Sequence, residues 1–520
     1  MTDLLAAVLR SCQAQGDAPA LTGPDGRPLS YRDLAARITA TAQALTGGGM
    51  RTGDRVLFSV RPSPACVVLA LGIVAAGGTV VFADPGAGAE LFAARFALAA
   101  PRWAAAESLL YAASGRIARG LTRRRGLLLP DYAALAVKHI YAGRWLPGVP
   151  RGALSARRLA GGRDGRAVRP PLDTIEAPQR EALVVFTSGT TEAPKAVVHT
   201  RGSLGASLAV LANACRLGPG DVVHTDQLML GLPALVAGAH WTMPPYGFNP
   251  ATDPARYATG LAGATHTFTT PVDLAAVVDL VGTGRLGVPQ TLRHLLVGGA
   301  PVLAPLLTRA RNALPHTEIR AVYGMTEILP VSVATAEEKL THDGPGDPVG
   351  GPLPGVRARL GPDGELYLSG EHLCHGYLGE PPLTEHATGD LARLDDQGRI
   401  ILVGRKKDML IRGRTNIYPG LYEPTLARLP GVADVALIGV PDEIGDDRVV
   451  LVVAPAADSD GVPRVLPGHP LAERVREALP ALIDAAALPD EVLVVSRLPV
   501  SGRTGKPDRA ALRNLVRGNG

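Results

Sequence analysis

A short run of hydroxyl side chains ends in a lysine directly after a stretch of apolar residues. The run contains Thr187, Ser188, Gly189, Thr190, Thr191 and Lys195. Hydroxyls and backbone amides on a tight, glycine-containing loop can surround phosphate oxygens, and a lysine adds positive charge. The spacing differs from that of a Walker A loop, in which Gly-Lys is followed by serine or threonine. Taken alone, the run could equally be a surface turn rich in serine and threonine.

Two later motifs carry further groups that suit a nucleotide. The first follows the apolar residues 294–297 and the second is centred on an aromatic residue. Their candidate residues are Gly299, Ala300, Pro301, Tyr323, Gly324, Thr326 and Glu327. An aromatic face suits a purine base, and a carboxylate suits a hard cation that also binds phosphate. Asp390, in the sequence Thr388–Asp390, can accept two hydrogen bonds from a cis-diol, although an isolated aspartate there would be interpreted as a turn residue.

Lysine is scarce in this chain. Of 53 basic residues only six are lysine, and they are Lys138, Lys195, Lys339, Lys406, Lys407 and Lys506. A GC-rich coding bias explains the preference for arginine. A lysine retained against that bias can be chemically required, because a compact ammonium group is not replaced by a planar guanidinium. Four of the six fall inside the motifs described in this section.

The apolar patterning predicts the elements that position these groups. Unbroken apolar runs at 55–58, 78–82, 182–186 and 294–297 alternate with helix-like stretches up to about residue 400. Runs of this kind are typical of strands buried on both faces of an α/β sheet. We therefore predict an α/β fold whose large N-terminal domain consists of layered sheets.

Near residue 350 the pattern changes. Asp363-Gly364 and the segment 396–398 are typical of hairpin turns, which indicates a small β-rich subdomain. After about residue 407 a compact α+β unit follows, with strands expected near 434–440, 448–454 and 491–496. This places the domain boundary between residues 1–406 and 407–520.

Composition excludes several other classes of protein. The chain has 520 residues, 46% hydrophobic and 19% charged, so it can bury large cores. Its formal net charge of +5 suits an anionic substrate, but aromatics are only 4%, which argues against nucleic-acid binding. The apolar stretch 67–83 is interrupted by glycines and predicts a buried helix, a turn and a strand, with no membrane span. We expect no signal peptide, four unpaired cysteines and a cytoplasmic location.

Together these motifs resemble those of the adenylate-forming superfamily, which includes acyl- and aryl-CoA ligases, peptide-synthetase adenylation domains and firefly luciferase. Segments 29–34, 53–56, 404–408, 412–419 and 498–509 also match, in the right order. The resemblance covers nearly the whole chain and is greatest to bacterial acyl-CoA ligases. It implies a large domain followed by a small mobile C-terminal lid domain.

The resemblance also implies a role for each site residue. In the family, the hydroxyl loop and its lysine bind phosphate, Gly299 to Pro301 lie along adenine, and Tyr323 stacks on the base. Thr326 meets phosphate and Glu327 helps to hold Mg²⁺. The ribose is bound by residues that align with Asp390 and Arg405.

The resemblance assigns the hinge and the catalytic lysine to the small domain. Lys407 aligns with the hinge residue, and Gly413 with a glycine that lets the pantetheine thiol of CoA pass close to the backbone. Lys506 aligns with the catalytic lysine, whose ammonium group stabilises charge on the α-phosphate during adenylation.

The implied function is ATP-dependent conversion of a carboxylic acid to acyl-AMP and then to acyl-CoA, with AMP and pyrophosphate as products. The implied substrates and cofactors are ATP, Mg²⁺, coenzyme A and a small-molecule acid, with a carrier protein as a further possible partner. The arginine-rich composition suggests a bacterial source and is compatible with secondary metabolism. Either a monomer or a homodimer fits.

The sequence departs from the family pattern at three places. Glu192 replaces a glycine of the phosphate loop, and its carboxylate would repel ATP unless it faces water. The segment 230–238 is small and aliphatic where relatives often have an aromatic or histidine, so we expect a roomy pocket for a bulky or long acyl group. Arg414 and Thr415 replace a common Gly-Glu pair, which affects the thioester step.

Alternatives therefore stay open for the acceptor. The segments 82–86 and 323–331 resemble β-lactone synthetases, and the acyl group could also be loaded onto a carrier protein. A half-active homologue that performs only the thioester step is a third possibility, because of Glu192. The segment 116–169, with thirteen Lys/Arg and two Asp, could be a docking surface or simply a solvated face.

Overall fold

The protein folds into layers of sheet and helix. The computed structural model describes residues 3–83, 85, 89–115, 129–161, 177–187, 195–245, 253–412, 415–441, 447–456, 462–483, 487–501 and 506–517. Its helices are α1 Leu4–Gln15, α2 Tyr31–Gly47, α3 Pro64–Ala75, α4 Ala89–Ala99, α5 Ser108–Ser114, α6 Ala156–Gly161, α7 Arg201–Ala214, α8 Leu228–Ala237, α9 Pro254–Leu261, α10 Pro271–Gly282, α11 Ala304–Ala313, α12 Ala336–Thr341, α13 Pro419–Leu426, α14 Leu471–Leu482 and α15 Arg509–Arg517. Short 3₁₀ turns cover Tyr132–Ala134 and Lys406–Asp408.

The strands alternate with these helices. They are β1 Pro19–Thr22, β2 Pro28–Ser30, β3 Arg55–Ser59, β4 Thr79–Phe82, β5 Trp103–Glu107, β6 Lys138–Ala142, β7 Leu154–Ser155, β8 Glu181–Thr187, β9 Lys195–Thr200, β10 Val222–His224, β11 His240–Thr242, β12 His266–Thr269, β13 His294–Gly298, β14 Glu318–Met325, β15 Ile328–Thr335, β16 Asp347–Gly350, β17 Val356–Leu360, β18 Glu365–Gly370, β19 Gly376–Tyr377, β20 His386–Leu394, β21 Ile400–Arg405, β22 Leu410–Arg412, β23 Thr415–Ile417, β24 Val432–Pro441, β25 Asp447–Pro455, β26 Glu491–Val494, β27 Val500–Ser501 and β28 Lys506–Pro507.

Two large sheets form the main body. One has the strand order β15-β14-β13-β12-β10-β11-β1-β2, and the other has the order β19-β9-β8-β4-β3-β5-β6-β7. Neighbouring strands inside each sheet are parallel, and antiparallel strands complete the edges. The largest core lies between the two sheets and includes side chains of α1, α2 and α3. The predicted layered α/β architecture is confirmed.

Local sequence signals set the ends of several helices. Ser63 Oγ accepts a hydrogen bond from the Cys66 amide at the start of α3, and Pro64 occupies the first helical turn. The Thr200 hydroxyl likewise accepts from the Ser203 amide at the start of α7, in a capping box. Helix α3 then leads through Gly77, whose φ of +85° favours glycine, into β4. The stretch 67–83 therefore has the predicted order of helix, turn and strand.

A third sheet forms the expected β-rich subdomain. Its strands are all antiparallel, in the order β16-β21-β20-β18-β17. The predicted hairpin turns lie where expected, because Gly364 and Gly398 connect consecutive strands with φ of +79° and +73°. This subdomain carries Asp390 and Arg405 on paired strands.

The C-terminal unit has its own core around the three-stranded sheet β24-β25-β26. The observed strands match the three segments expected from the sequence. Helix α13 contacts the large body closely, because a Cβ added to Gly420 would lie 2.7 Å from Cα of Gly404 in β21. The Arg428 guanidinium also donates to the carbonyl of Lys339, at 3.1 Å. Both contacts join a residue before position 406 to a residue after it, so they cross the expected domain boundary.

The four cysteines are in the state that the sequence analysis expected. Cys12, Cys66, Cys215 and Cys374 are buried and unpaired, and burial raises the pKa of each thiol to about 12. Within the described residues, every helix is too short or too polar to cross a lipid bilayer.

Candidate active site

Three parallel strands of the first sheet end side by side. The last residues of β12, β13 and β14 are Thr269, Gly298 and Met325, and the three strands pair in register. Ligands of open α/β sheets bind at the carboxyl ends of such strands. The antiparallel subdomain covers this edge and brings β20 and β21 toward it, so the candidate residues of both regions meet here.

The central feature is a group of three side chains that we call the carboxylate cluster: Tyr323, Asp390 and Arg405. The Tyr323 hydroxyl donates to Asp390 Oδ2 at 2.6 Å. Arg405 Nε lies 2.7 Å from Asp390 Oδ1. Asp390 is only 3% exposed, so its charge is removed from water and is compensated by these two partners. Residues separated by 82 positions in the chain are thus joined around one carboxylate.

Protonation in the carboxylate cluster follows from burial. Burial, and next the negative charge of Asp390, raise the pKa of Tyr323 well above its usual value. The phenol therefore stays protonated near neutral pH and acts as the donor in its bond to Asp390. An aromatic face, a carboxylate and a cation are the groups that a base and a ribose diol need.

A second carboxylate supports the strand that carries Asp390. Glu365 Oε1 accepts a hydrogen bond from the Gly389 amide at 2.9 Å. Its other oxygen, Oε2, lies 3.0 Å from Lys406 Nζ, which also contacts Asp363. These two carboxylates raise the pKa of Lys406. Lys406 therefore connects the turn between β17 and β18 to the segment that precedes the expected hinge.

Tyr377 connects two other predicted site residues. The Tyr377 hydroxyl donates to Glu327 Oε1 at 3.0 Å, and Lys195 Nζ lies 5.2 Å from the centre of the Tyr377 ring. Strand β19, which carries Tyr377, pairs with β9 directly after Lys195. Tyr377 therefore contacts both residues, with Lys195 over its ring and Glu327 at its hydroxyl, although the two are far apart in sequence.

His199 holds the turn that contains Thr326. Its Nε2 lies 2.8 Å from the Thr326 carbonyl oxygen, so this nitrogen must carry the hydrogen. Burial is the largest influence on the imidazole and lowers its pKa, which keeps it neutral. His199 thus positions the backbone between Tyr323 and Glu327 without contributing charge.

The turn after β13 packs closely against its neighbours, and its predicted place along adenine stays a prediction. Gly299 has a φ of +82°, a backbone conformation that favours glycine. A Cβ added to Gly298 would lie 2.8 Å from the Val322 carbonyl oxygen. Ala300 is half-buried and Pro301 is exposed. Gly324 is also tightly placed, because an added Cβ would lie 2.6 Å from Leu329 Cδ1.

Several predicted residues lie outside the described part of the chain. These are Ser188, Gly189, Thr190, Thr191, Glu192, Gly413 and Arg414. The backbone of Thr187 ends β8 and pairs with Lys195, and Lys407 lies in the 3₁₀ turn, but the side chains of Thr187 and Lys407 are not described. Their roles stay predictions.

The remaining lysines divide into two groups. Lys506 lies exposed on β28, in a two-stranded hairpin with β27. Lys138 and Lys339, which lie outside the motifs, have structural contacts: Lys138 Nζ donates to the Gly48 carbonyl, and buried Lys339 pairs with Asp347. Scarcity alone therefore does not separate catalytic from structural lysines.

The expected roomy acyl pocket stays a prediction. Four residues of the segment 230–238 belong to the main core or pack against it: Leu232, Ala234, Leu235 and Val236. Leu230 and Pro233 line an apolar cavity of about 20 Å³. Gly231 allows close packing of α8, because an added Cβ would lie 1.9 Å from Cε2 of Trp241.

Three site-supporting residues were missed by sequence reasoning. Tyr377, Glu365 and His199 act through partners at least 24 positions away. His199 belongs to a motif that was recognised, but its bond to Thr326 depends on the pairing of distant segments. No local spacing in the sequence indicates these contacts.

Comparison with known proteins identifies the family. The family model described as "AMP-binding enzyme" matches residues 8–378, and that of the "AMP-binding enzyme C-terminal domain" matches residues 422–506. A salicylyl-CoA synthase / salicylate adenylyltransferase from a Streptomyces species is 30% identical, over 97% of this chain and 92% of that protein. An olefin beta-lactone synthetase from Stenotrophomonas maltophilia is 25% identical, over 89% and 88%.

A solved structure shares the fold. The amide bond synthetase McbA from Marinactinospora thermotolerans has a TM-score of 0.79 and 23% identity, over 99% of both chains. The order of the motifs, the carboxylate cluster and the family matches agree with one another. The chain belongs to the AMP-binding enzymes, the adenylate-forming superfamily that includes acyl-CoA ligases.

Proposed function

We propose that this protein activates an apolar carboxylic acid as its acyl-AMP at the expense of ATP and transfers the acyl group to the thiol of coenzyme A. The observation that carries this proposal is the carboxylate cluster at the carboxyl edge of a parallel sheet. Buried Asp390 presents acceptor oxygens beside the ring of Tyr323, as a ribose and an adenine would require.

Phosphate would be bound on the other side of the base. Lys195 and the hydroxyl loop before it would supply positive charge and donors, and Glu327 lies at the hydroxyl of the same Tyr377 ring that Lys195 covers. Glu327 uses one oxygen for Tyr377 and keeps capacity for a hard cation, because a carboxylate can accept about four bonds. Mg²⁺ held by Glu327 and phosphate oxygens would neutralise part of the phosphate charge.

In the first half-reaction, a carboxylate oxygen of the acid attacks the α-phosphorus of ATP. The bond from this phosphorus to the bridging oxygen of pyrophosphate breaks, so acyl-AMP and pyrophosphate form. Negative charge grows on the α-phosphate oxygens, and the Lys506 ammonium stabilises it. The protein contributes orientation and electrostatics, since no proton has to move in this step.

In the second half-reaction, the CoA sulfur attacks the acyl carbon after losing its proton. The bond between this carbon and the AMP oxygen breaks, which gives acyl-CoA and AMP. The small domain, residues 407–520, would turn about Lys407 between the two steps, and Gly413 would allow the thiol to approach. The close contact of Gly420 with Gly404 supports this proposal, because it gives the small domain a defined resting place beside the hinge.

A second candidate keeps adenylation and changes the acceptor. The similarity to an olefin beta-lactone synthetase favours attack by a hydroxyl of the acid itself, which would close a lactone and release AMP. Loading of a carrier-protein thiol is chemically equivalent to the CoA reaction. The proposed function and these alternatives share the acyl-AMP intermediate and differ in the final product.

Mass spectrometry of the products separates the acceptors. The protein is incubated with Mg·ATP and a panel of acids, with and without CoA. Acyl-CoA and AMP are expected, and they should appear only when CoA is present. Lactone or free acyl-AMP in the presence of CoA would contradict the CoA step and leave the adenylation step intact.

The variant Lys506→Ala tests the role of the small domain. We expect ATP–pyrophosphate exchange to fall by about 10²–10³-fold, because one electrostatic donor is lost. Thioester formation from supplied acyl-AMP should continue, and it controls for folding. Unchanged exchange in Lys506→Ala would contradict the proposed mechanism.

If the unmodified protein gave no exchange but formed thioester from acyl-AMP, the half-active alternative with Glu192 would be favoured.

A further inference from the structure

Tyr377 touches two groups of the candidate active site, yet the proposed function gives it no task in binding. Its hydroxyl donates to Glu327 Oε1 at 3.0 Å, and Lys195 Nζ lies 5.2 Å from the centre of its ring. These two partners carry opposite charges. Glu327 is proposed to hold Mg²⁺ and Lys195 to bind phosphate, so one neutral side chain contacts both of the charged groups that Mg·ATP would use.

The backbone fixes Tyr377 relative to both partners. Strand β19, which carries Tyr377, pairs with β9, and β9 begins at Lys195. Just before β19, the Cys374 amide donates to the Glu327 carbonyl oxygen at 2.7 Å. Main-chain hydrogen bonds thus connect the segment around Tyr377 to the strand of Lys195 and to the turn of Glu327. The half-buried ring is held where both contacts form.

The two charges do not pair with each other. Lys339 and Lys406 each form an ion pair with a carboxylate, whereas the described part of the chain shows no ion pair of Lys195 or of Glu327. Both charges instead have a neutral partner on Tyr377. The face of an aromatic ring is partly negative and attracts an ammonium, while the hydroxyl donates to the carboxylate. Tyr377 therefore stabilises both charges without neutralising either.

A direct ion pair would compete with the nucleotide. The lysine ammonium is carried on a flexible four-carbon stem, so Lys195 would be free to turn toward Glu327 if the ring were removed. Opposite charges that meet attract each other and lose part of their attraction for further ions. Lys195 would then have to leave Glu327 before it met phosphate, and Glu327 would have to leave Lys195 before it met Mg²⁺.

We infer that Tyr377 is a positioning residue that keeps Lys195 and Glu327 apart and available for Mg·ATP. The two ends of its side chain have separate tasks. The hydroxyl orients the Glu327 carboxylate toward a cation, and the ring holds the Lys195 ammonium ready for phosphate. This inference rests on the proposed function and adds a residue to the same site.

Two variants of Tyr377 separate these tasks. ATP binding is measured by calorimetry without an acid, so that no reaction occurs, over a range of Mg²⁺ concentrations. Tyr377→Phe keeps the ring, so affinity for ATP without Mg²⁺ should stay within about twofold. The Mg²⁺ concentration needed for half of its effect should rise by about 10–100-fold, because the carboxylate loses its orienting bond.

Tyr377→Leu removes the ring as well as the hydroxyl. It should show the same change in Mg²⁺ dependence and should also weaken ATP binding without Mg²⁺ by about threefold or more, because Lys195 is then engaged by Glu327. Equal affinities of Tyr377→Phe and Tyr377→Leu for ATP without Mg²⁺ would contradict the task of the ring. An unchanged Mg²⁺ dependence in Tyr377→Phe would contradict the task of the hydroxyl.

Tyr367 supplies a matched control. This tyrosine lies on β18, and the guanidinium carbon of Arg359 is 4.1 Å from the centre of its ring. Tyr367→Phe and Tyr367→Leu remove the same groups from a similar pair of aromatic ring and cation. Both should leave ATP affinity and Mg²⁺ dependence unchanged. Equal shifts in the Tyr367 and Tyr377 variants would mean that loosened packing alone weakens binding, and the inference would be wrong.

A double-mutant cycle tests the separation of charges without any nucleotide. The coupling free energy of Lys195 and Glu327 is obtained from denaturant unfolding of Lys195→Met, Glu327→Gln and the double variant. The cycle is run with tyrosine and with leucine at position 377. We expect a more favourable coupling with leucine, and equal coupling in the two backgrounds would overturn the inference. If ATP did not bind the unmodified protein while the coupling still increased with leucine, the separation of charges would stand and the proposed function would fail.

Discussion

The carboxylate cluster and the apolar cavity lined by Leu230, Phe268 and Leu296 hold their groups together in opposite ways. In the carboxylate cluster, buried charge is held by specific polar partners, Tyr323 and Arg405 around Asp390. In the cavity, Leu230, Phe268 and Leu296 meet through non-directional contacts. Polar partners tolerate few replacements, whereas an apolar wall can change shape with any of its side chains. The carboxylate cluster should therefore be more sensitive to substitution than the cavity wall.

The largest effect should follow from removing the central carboxylate. Asp390→Ala takes away the proposed acceptor for the ribose hydroxyls and leaves Arg405 and Tyr323 without their partner. We expect kcat/KM for ATP to fall by about 10²–10³-fold, since hydrogen bonds to charged groups contribute about 1.5–3 kcal/mol each. The relative preference among acids should stay the same. Exchange kinetics with several acids measure both quantities.

Asp396→Ala is the matched control, because Asp396 lies exposed in the turn between β20 and β21, the strands that carry Asp390 and Arg405. It should leave the kinetics for ATP unchanged. If Asp390→Ala altered the acid preference as strongly as the ATP kinetics, the carboxylate cluster would influence the choice of acid as well as the binding of ATP. This outcome would contradict the division of roles between the two regions.

A smaller effect is expected from Gly231→Ala. A Cβ at this position would lie 1.9 Å from Cε2 of Trp241, and Trp241 is fixed by a bond of 2.9 Å from its Nε1 to the Thr225 carbonyl. Helix α8 must therefore shift, and Leu230 moves with it. We expect the free energy of unfolding to fall by about 1–3 kcal/mol.

Gly282→Ala serves as the control for Gly231→Ala. Gly282 ends α10 with no neighbouring atom within 4 Å of the added Cβ, so its replacement should leave stability nearly unchanged. Denaturant unfolding measures the two variants. Equal stabilities of Gly231→Ala and Gly282→Ala would contradict the close packing of α8 on Trp241.

A still smaller effect should follow from Tyr323→Phe. The variant keeps the aromatic face and removes the hydroxyl that donates to Asp390. Because each carboxylate oxygen can accept more than one bond, a ribose hydroxyl can take the vacated position. We expect kcat/KM for ATP to change by less than about threefold and the free energy of unfolding to fall by about 1–2 kcal/mol. A loss above about 30-fold would show that the phenol itself binds the nucleotide.

The sequence predicted the fold well because the signals involved are local. The apolar runs of β3, β4, β8 and β13 and the glycine turns at 364 and 398 need only short windows to be recognised. The partners within the carboxylate cluster were identified as separate motifs, since each has a distinctive residue type. Their mutual bonds, including that of Tyr323 to Asp390, required the structure.

The packing of α8 was not predictable from the sequence. Gly231 lets this helix approach Trp241 closely, because an added Cβ would lie 1.9 Å from Cε2 of the indole. The contacts of Tyr377 and Glu365 were missed for the same reason: each depends on how two distant segments pack. Sequence pattern identifies which groups are available, and packing decides how much room lies between them.

The smallest effect on activity concerns a group in neither region. Burial, and next the charge of Glu423, raise the pKa of Asp434 in β24 to about 6. The folded chain thus binds this proton more tightly than the unfolded chain, whose aspartate titrates at about 3.9. The contribution to stability is complete below about pH 4 and is lost as pH rises through 6.

Asp434→Asn should therefore be more stable than the unmodified protein above pH 7, by about 1–3 kcal/mol, and equally stable below pH 4. Chemical denaturation across this pH range measures the difference, with Asp396→Asn as an exposed control. Exchange activity at neutral pH should not change, because Asp434 belongs to the small-domain sheet and to neither the carboxylate cluster nor the cavity. Altered exchange activity in Asp434→Asn would instead mean that the stability of the small domain influences adenylation.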